Sequence, residues 1–367
     1  TTAMLVVGDT RSSLASRSVA LSQSNPDFSC AVCSAAIPLV GLIQIAQSIP
    51  VQTKLWLCSG SLESGVLSFA RSLRLERRAL SCVHVTTTDG CWSSVVLRAN
   101  GQTEDELVVR NGRHAAPRLK LLPLPALQIT NTVQHDQAAC YSLTGGTGAL
   151  GLVVAAFMAT RGAGQLVLLS RSGRISKGKH WQQLQKADAE VAVCCSDVSV
   201  ELSGTGQSVQ GLVHAAGVEI YAGLSELSLQ QSHTVLSPKV DGTVNLHCIT
   251  ASVPLDHFVL FSSSSALVGL KSGSVYAAAN GCLDAFMGCQ RAAGLVAQSV
   301  QWGAWTEIGM AAGIEANGYM TGGVTNAIGL CAMESLLSGW QQQGVFVADM
   351  VWQQFLQLYS HVPALLG

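Results

Sequence analysis

Charge is what this sequence has least of. Only 12% of its 367 residues are Asp, Glu, Lys or Arg, where an average globular domain carries about 25%. The formal net charge is −1, so no basic face for nucleic acid or an anionic membrane is expected. Such a charge-poor surface fits a piece of a larger assembly whose faces meet neighbours. It fits equally a lineage that uses charge sparingly. Long apolar runs are also missing. The longest, such as Leu150–Ala159, fall short of the roughly 18–20 residues of a membrane-spanning helix. The opening TTAMLVVGDTRSS has no basic n-region and no long h-region, which argues against a signal peptide. The chain starts at Thr1 without an initiator methionine, as expected of a segment of a longer polypeptide. Zinc-ligand spacing is absent. Of twelve scattered cysteines, Cys30 and Cys33 form one C-x-x-C with no second pair to match, and Cys194 and Cys195 are adjacent in a strand-like run. Free, buried thiols in a reducing, cytoplasmic compartment and no metal are the expectation.

What the sequence has in quantity is apolar residues, 48%, and 36 glycines, the makings of buried strands joined by glycine-rich turns. The length allows two domains or one large one. MLVVGD (4–9), TKLWLCSG (53–60) and LSCVHVTTT (80–88) read as strands, and LVGLIQIAQSI (39–49) and GVLSFARSLRLERR (65–78) as helices. DELVVRNGRHAAPRLKLLP (105–123) reads as strands turning at Asn111-Gly112, so the first third is an α/β unit. LLPLPALQITNTVQHDQAA (121–139) is a connector. Beyond it, strands at 140–144, 165–171, 191–197, 210–217, 256–263 and 297–305 alternate with helices at the glycine turn, near Trp181–Ala189 and around Lys239–Ile249, and with a long one before the last strand. Strands apolar throughout with helical crossovers indicate a parallel sheet covered on both faces.

Four constellations carry chemistry. The first is Thr144-Gly145-Gly146-Thr147-Gly148-Ala149-Leu150-Gly151, between a strand and a helix. Its glycines permit a tight turn, close approach of a pyrophosphate and close helix–strand packing. The helix N-terminus offers free N–H groups to phosphate. The second is Ser170-Arg171 ending the next strand. An acid for ribose hydroxyls is usual there, and a cation instead suits the 2′-phosphate of NADPH. Third, Asp197-Val198 and His214-Ala215-Ala216-Gly217 end two further strands, where ligands bind in such sheets. His214 is a possible base, with a packed backbone-spacing role the plainer reading. Fourth, Ser262-Ser263 end a strand, Tyr276 follows Ser263 by 13 residues, Asn280 follows Tyr276 by 4 on one helical face, and Lys239 lies upstream. A Tyr can protonate a developing alkoxide, and a nearby cation such as Lys239 would help by lowering its pKa from about 10.

With these motifs in place, the chain resembles the ketoreductase domains of type I polyketide synthases, in the short-chain dehydrogenase/reductase superfamily. TGGTGALG (144–151), LLSRSGR (168–174), VHAAGV (213–218), SPKVDGTVNLH (237–247), VLFSSSSALVG (259–269), YAAANGCLDAF (276–286) and WGAWTEIGMA (302–311) carry the resemblance. GVLSFARSLRLE (65–76) and ELVVRNGRHAAPRL (106–119) resemble the non-catalytic subdomain of these reductases. The resemblance implies two Rossmann-like, doubly wound α/β subdomains: a truncated, non-catalytic one over 1–136 that binds no cofactor, and a catalytic one over 137–367. It implies Tyr276 as proton donor, Ser263 bonding the ketone oxygen, and Lys239 and Asn280 completing a tetrad. Asn280 stands where most of the superfamily has Lys, as in synthase reductases. Ser262 joins the cofactor contacts, and Trp302-Gly303 would border the nicotinamide. The implied reaction is NADPH-dependent reduction of a β-ketoacyl chain on the phosphopantetheine arm of an acyl carrier protein, beside other synthase domains. The equivalent domain of a type I fatty acid synthase and a silent structural domain are the alternatives. The stretches near 33–38 and 199–210 are shorter than in relatives, either trimmed or lacking loops. Markers of hydroxyl configuration are absent: Glu219-Ile220-Tyr221 replaces L-D-D, and Val268 stands where the other class has Trp.

Overall fold

The computed structural model describes residues 2–7, 28–33, 39–49, 54–59, 64–87, 104–119, 133–200, 209–309, 323–338 and 345–348, with isolated positions at 353, 356 and 357. Two sheets organise them. The first contains β1 (Thr2–Val7), β2 (Phe28–Cys33), β3 (Lys54–Ser59), β4 (Ser81–Thr87), β5 (Glu106–Arg110) and β6 (Arg113–Ala115), in the order β2-β1-β3-β4-β5-β6. Its strands run parallel except for the β5–β6 hairpin. That hairpin turns at Asn111 and Gly112, with φ of 50° and 69°. Two successive left-handed residues are what a two-residue hairpin turn matched to strand twist requires. Helices α1 (Leu39–Ser48) and α2 (Ser64–Glu76) connect the strands.

The second sheet contains β7 (Cys140–Thr144), β8 (Gln165–Ser170), β9 (Glu190–Cys195), β10 (Val209–His214), β11 (His257–Ser263), β12 (Gln298–Trp302) and β13 (Val345–Val347). All pairs are parallel, and the order is β13-β12-β11-β10-β7-β8-β9. The crossovers are α3 (Ala149–Thr160), α4 (Lys179–Lys186), α5 (Leu229–Thr250), the short α6 (Ser264–Val268), α7 (Ser274–Ala292) and α8 (Asn326–Leu337). Strand order reverses between β7 and β10, so the carboxyl ends of these neighbours open a crevice. Helix α3 is buried from Gly151 through Met158, which explains its apolar sequence on every side.

Helix α2 of the first sheet's layer packs against α7 of the second. Phe69, Ala70 and Leu73 share one apolar cluster with Val275, Tyr276, Ala278 and Ala279. Gly65 makes this approach possible, since a Cβ there would lie 2.6 Å from Cys282 Sγ. Beside it, the buried Glu106 receives Arg71 at 2.7 and 2.8 Å and Arg74 at 3.0 Å. Arg71 also donates to the Ala266 carbonyl at 3.0 Å.

Several elements differ from the sequence reading. Strand β2 was not foreseen. Helix α5 begins ten residues before Lys239, because Ser228 and Gln231 form a reciprocal capping box and Pro238 lies within the helix. Proline usually breaks a helix, which hides this start. Helix α8 and strand β13 also went unread. Cys30 and Cys33 both lie in β2. Most of the connector (120–132) and the short stretches at 34–38 and 201–208 lie outside the described residues.

Burial pushes His84, His214 and His257 down to about 3. Their unfolded pKa is near 6.5, so the unfolded chain binds protons that the folded chain refuses. Stability is therefore fully present above about pH 6.5 and falls as pH drops toward 3, by roughly 1.4 kcal/mol per unit for each titrating histidine. Glu106 is held at about 2 by Arg71 and Arg74 against its burial, so its contribution is lost only as pH falls below about 4.5 toward 2. Urea unfolding midpoints measured from pH 7.5 to 4.5 should show this decline, with a shallower slope for His257→Phe. A flat profile over that range contradicts it.

Candidate active site

The site is built from the ends of β7, β8, β9 and β10. After Thr144 the chain turns through Gly145 at φ 67°, where an added Cβ would lie 3.0 Å from the Ala215 backbone. At Gly146 a Cβ would sit 2.7 Å from the Leu143 carbonyl, and at Gly151 it would strike the Gly145 carbonyl. These glycines let the turn fold under the start of α3. Gly148 caps that helix with no side-chain hydrogen bond, leaving the first-turn N–H groups available to an anion.

A cleft of about 870 Å³ follows, within the roughly 300–1,000 Å³ of small-molecule and cofactor sites. Thr144, Gly145, Thr147, Gly148, Ala149, Leu150 and Gly151 line one side, Ser170, Arg171, Asp197 and Val198 another, and Ala215, Ala216 and Gly217 the floor. Thr147 donates to the Ser170 hydroxyl at 2.7 Å, and that hydroxyl accepts the Gly173 N–H at 3.1 Å. Asp197 accepts the Ser199 hydroxyl and N–H at 2.7 and 3.0 Å, which together hold its pKa down. Open N–H groups at one end, cations at the other and small residues between fit a dinucleotide.

Five expected cofactor residues do not line this cleft. Gly146 packs beneath the turn on Leu168. His214 is buried, its Nδ1 2.6 Å from the Thr144 hydroxyl and its Nε2 3.4 Å from the Lys239 carbonyl; it ties β7, β10 and α5 together. Ser262 donates to the Asn280 carbonyl at 3.2 Å and braces α7. The Trp302 indole turns into the core against Phe261 and Trp305, at 5.4 and 5.3 Å between ring centres. Gly303 donates its N–H to Val347 at 2.7 Å, with Ala348 against its Cα. Arg174, Val218 and Pro238 line the cleft unforeseen. The second arginine of LLSRSGR, three residues after Arg171, was the available signal.

Beside the cleft floor, β11, α5 and α7 converge. Ser263 ends β11 half-buried, and its hydroxyl accepts the Ser265 N–H at 3.2 Å. Tyr276 and Asn280 lie on the buried face of α7. The Asn280 amide donates to the Tyr276 carbonyl at 2.8 Å, while its Oδ1 is buried without a partner. The buried Lys239 ammonium donates to the Phe261 carbonyl at 2.8 Å and lies 5.9 Å from the Tyr276 ring centre. Burial pushes Lys239 down to about 8, with Glu219 and Asp284 acting the other way. Tyr276 departs from expectation. Burial, then the carboxylate of Glu219, pushes it well above 10, and the Lys239 ammonium lies over the ring. Glu219 and Asp284 are the carboxylates that sequence reasoning missed. Asp284 was legible as the next step of the Tyr276–Asn280 spacing. It accepts Ser299 at 2.5 Å and Gln301 at 2.7 Å.

A parallel switch-point sheet with a glycine turn and a Ser–Tyr–Lys–Asn group at its rim defines a short-chain dehydrogenase/reductase-type oxidoreductase. Residues 139–307 match the KR domain family, and this stretch belongs to it as a ketoreductase of polyketide-synthase type. The chain is 36% identical over 256 residues to phthioceranic/hydroxyphthioceranic acid synthase of Mycobacterium tuberculosis, covering 63% of this chain and 12% of that protein. It is 32% identical over 313 residues to 6-methylsalicylic acid synthase of Aspergillus niger, covering 77% and 17%. The chain thus spans less than a fifth of either relative. Among solved structures, the ketoreductase from the first module of phoslactomycin biosynthesis in Streptomyces sp. HK803 superposes with a TM-score of 0.83 at 26% identity, covering 99% of this chain and 93% of that one.

Gly145→Ala should weaken binding of a nicotinamide dinucleotide by at least about tenfold. The left-handed backbone costs an alanine roughly 1–2 kcal/mol, and the methyl crowds Ala215. A fluorescence titration reads this, and unchanged affinity would separate the turn from cofactor binding.

Proposed function

We propose that this chain reduces the β-keto group of an acyl chain, carried on the phosphopantetheine arm of an acyl carrier protein, to a β-hydroxyl, with NADPH as reductant. The observation that carries this reading is the place of Lys239: it lies against Gly217 of the glycine-turn cleft, 5.9 Å from the Tyr276 ring, and bonds the Phe261 carbonyl of the strand that ends at Ser263. The similar proteins are polyketide synthases, which favours a polyketide intermediate, neighbouring synthase domains and a cytoplasmic setting. Residues 137–367 form the catalytic subdomain in this reading, and residues 1–136 buttress it.

Bound NADPH would supply the hydride that reduces the carbonyl carbon. Thr144–Gly151 would hold its pyrophosphate, Arg171 and Arg174 its 2′-phosphate, and Ala215–Gly217 would leave room for the adenosine. Ser263 donates a hydrogen bond to the ketone oxygen, and Tyr276 gives that oxygen its proton as charge develops there. A tyrosine pKa well above 10 keeps the proton loaded at neutral pH. Lys239 then stabilises the tyrosinate, and Asn280 fixes the backbone of Tyr276 from one helical turn away.

Tyr276→Phe should cut β-keto thioester reduction by about 10²–10⁴ while NADPH still binds. Ser263→Ala should be milder, since it removes no proton source. Rates followed by NADPH absorbance check both, and more than about a tenth of the activity left in Tyr276→Phe would overturn the mechanism. Arg171→Ala should raise the NADPH constant roughly 10- to 100-fold, the loss of about 1.5–3 kcal/mol of charge-assisted bonding. The NADH constant should barely move. Equal use of both cofactors by the unmodified chain would refute the preference.

A further inference from the structure

Glu219 brings a carboxylate to the tetrad from outside it. It follows the cleft residues Ala215–Val218 on the loop after β10 and is half-buried. Its Oε2 accepts the Tyr221 hydroxyl at 2.7 Å, which fixes the carboxylate in place. The loop rests on the lysine: two residues earlier, a Cβ on Gly217 would lie 2.9 Å from Lys239 Cε. On the other side the next residue, Ile220, packs on the apolar cluster that contains Tyr276 and Val275, and the Glu219 carboxylate acts on the tyrosine, adding to the burial that raises its pKa. A ketone reduced here must bring its oxygen to the Tyr276 hydroxyl, so any charge a few bonds from that ketone comes close to Glu219.

We infer that Glu219 is a specificity-determining residue, which turns away ketones bearing a negative charge beside the carbonyl and admits their neutral esters and thioesters. The inference rests on the ketoreduction reading and names the substrate class for it. In a free β-keto acid the carboxylate carbon is two bonds from the ketone carbon. Bound for reaction, it would place two anions a few ångströms apart in a partly desolvated site. Like charges so placed repel strongly, and a specific site can discriminate by such repulsion. Lys239 does not cancel the effect, because its charge already faces both Glu219 and Asp284. A thioester joined to a carrier arm has no such charge, so the discrimination separates the tethered chain from the acid released when the thioester hydrolyses.

The test compares ethyl 3-oxobutanoate with free 3-oxobutanoate, in the unmodified chain and in Glu219→Gln and Glu219→Lys. The unmodified chain should favour the ester in kcat/KM by roughly 30-fold or more. In Glu219→Gln that ratio should fall about tenfold, through the KM of the acid, and in Glu219→Lys it should fall further. Calorimetric titration of the NADP⁺-loaded chain with each ketone gives the same ratio without turnover. A ratio within about twofold of the unmodified value in both variants overturns the inference, as does equal binding of acid and ester by the unmodified chain. If no NADPH is oxidised with either ketone, the ketoreduction reading fails, and the titration still decides the role of Glu219.

Discussion

Helices α2 and α7 come from opposite halves of the chain, and their contact holds the active site in shape. Tyr276 and Asn280 stand on α7, whose outer side rests on Phe69, Ala70 and Leu73. Charge reinforces the contact. Arg71 bridges Glu106 in the first sheet and the Ala266 carbonyl just past Ser263, so the helix after Ser263 is tied to a strand of the other sheet. Ser68 adds a bond to the same carbonyl at 2.8 Å, and the Ser72 hydroxyl accepts the Leu270 N–H at 3.0 Å. A glutamate this buried is tolerable because two guanidiniums meet it.

The second constraint is the buried lysine. The buried Lys239 donates to the Phe261 carbonyl, and an ammonium in such a place loses most of its hydration. The carboxylates acting on it, Glu219 and Asp284, come from a loop and from α7. Asp284 is in turn anchored on β12 through Ser299 and Gln301. The electrostatics of the site therefore extend two helical turns below Tyr276, into residues that touch neither cleft nor ketone.

Much of this was legible. The glycine turn, the strand ends and the helical spacing of Tyr276 and Asn280 are local patterns, and local patterns survive folding. What escaped were matters of direction and distance. Trp302 sits at a strand end where ligands bind, yet its indole turns inward because Phe261 and Trp305 offer an aromatic pocket. His214 shares its strand end with cleft residues, but alternation along the strand points it down to Thr144. Lys239 reaches a carbonyl rather than the tyrosine hydroxyl, which no spacing rule encodes. The start of α5 was hidden because Pro238 outweighed a capping box ten residues upstream. Strand β2 is short, and Ser29 and two cysteines dilute its apolar signal.

The contact between α2 and α7 also has a meaning in time. Ser68 and Ala266 are 198 positions apart. At about 5–20 residues per second, a ribosome needs roughly 10–40 s to pass from one to the other. Through that interval the newly made α2 holds Phe69, Ala70 and Leu73 ready without the helix they will meet. The first half of this chain is thus born with an open apolar flank, and the helix that carries Tyr276 closes it.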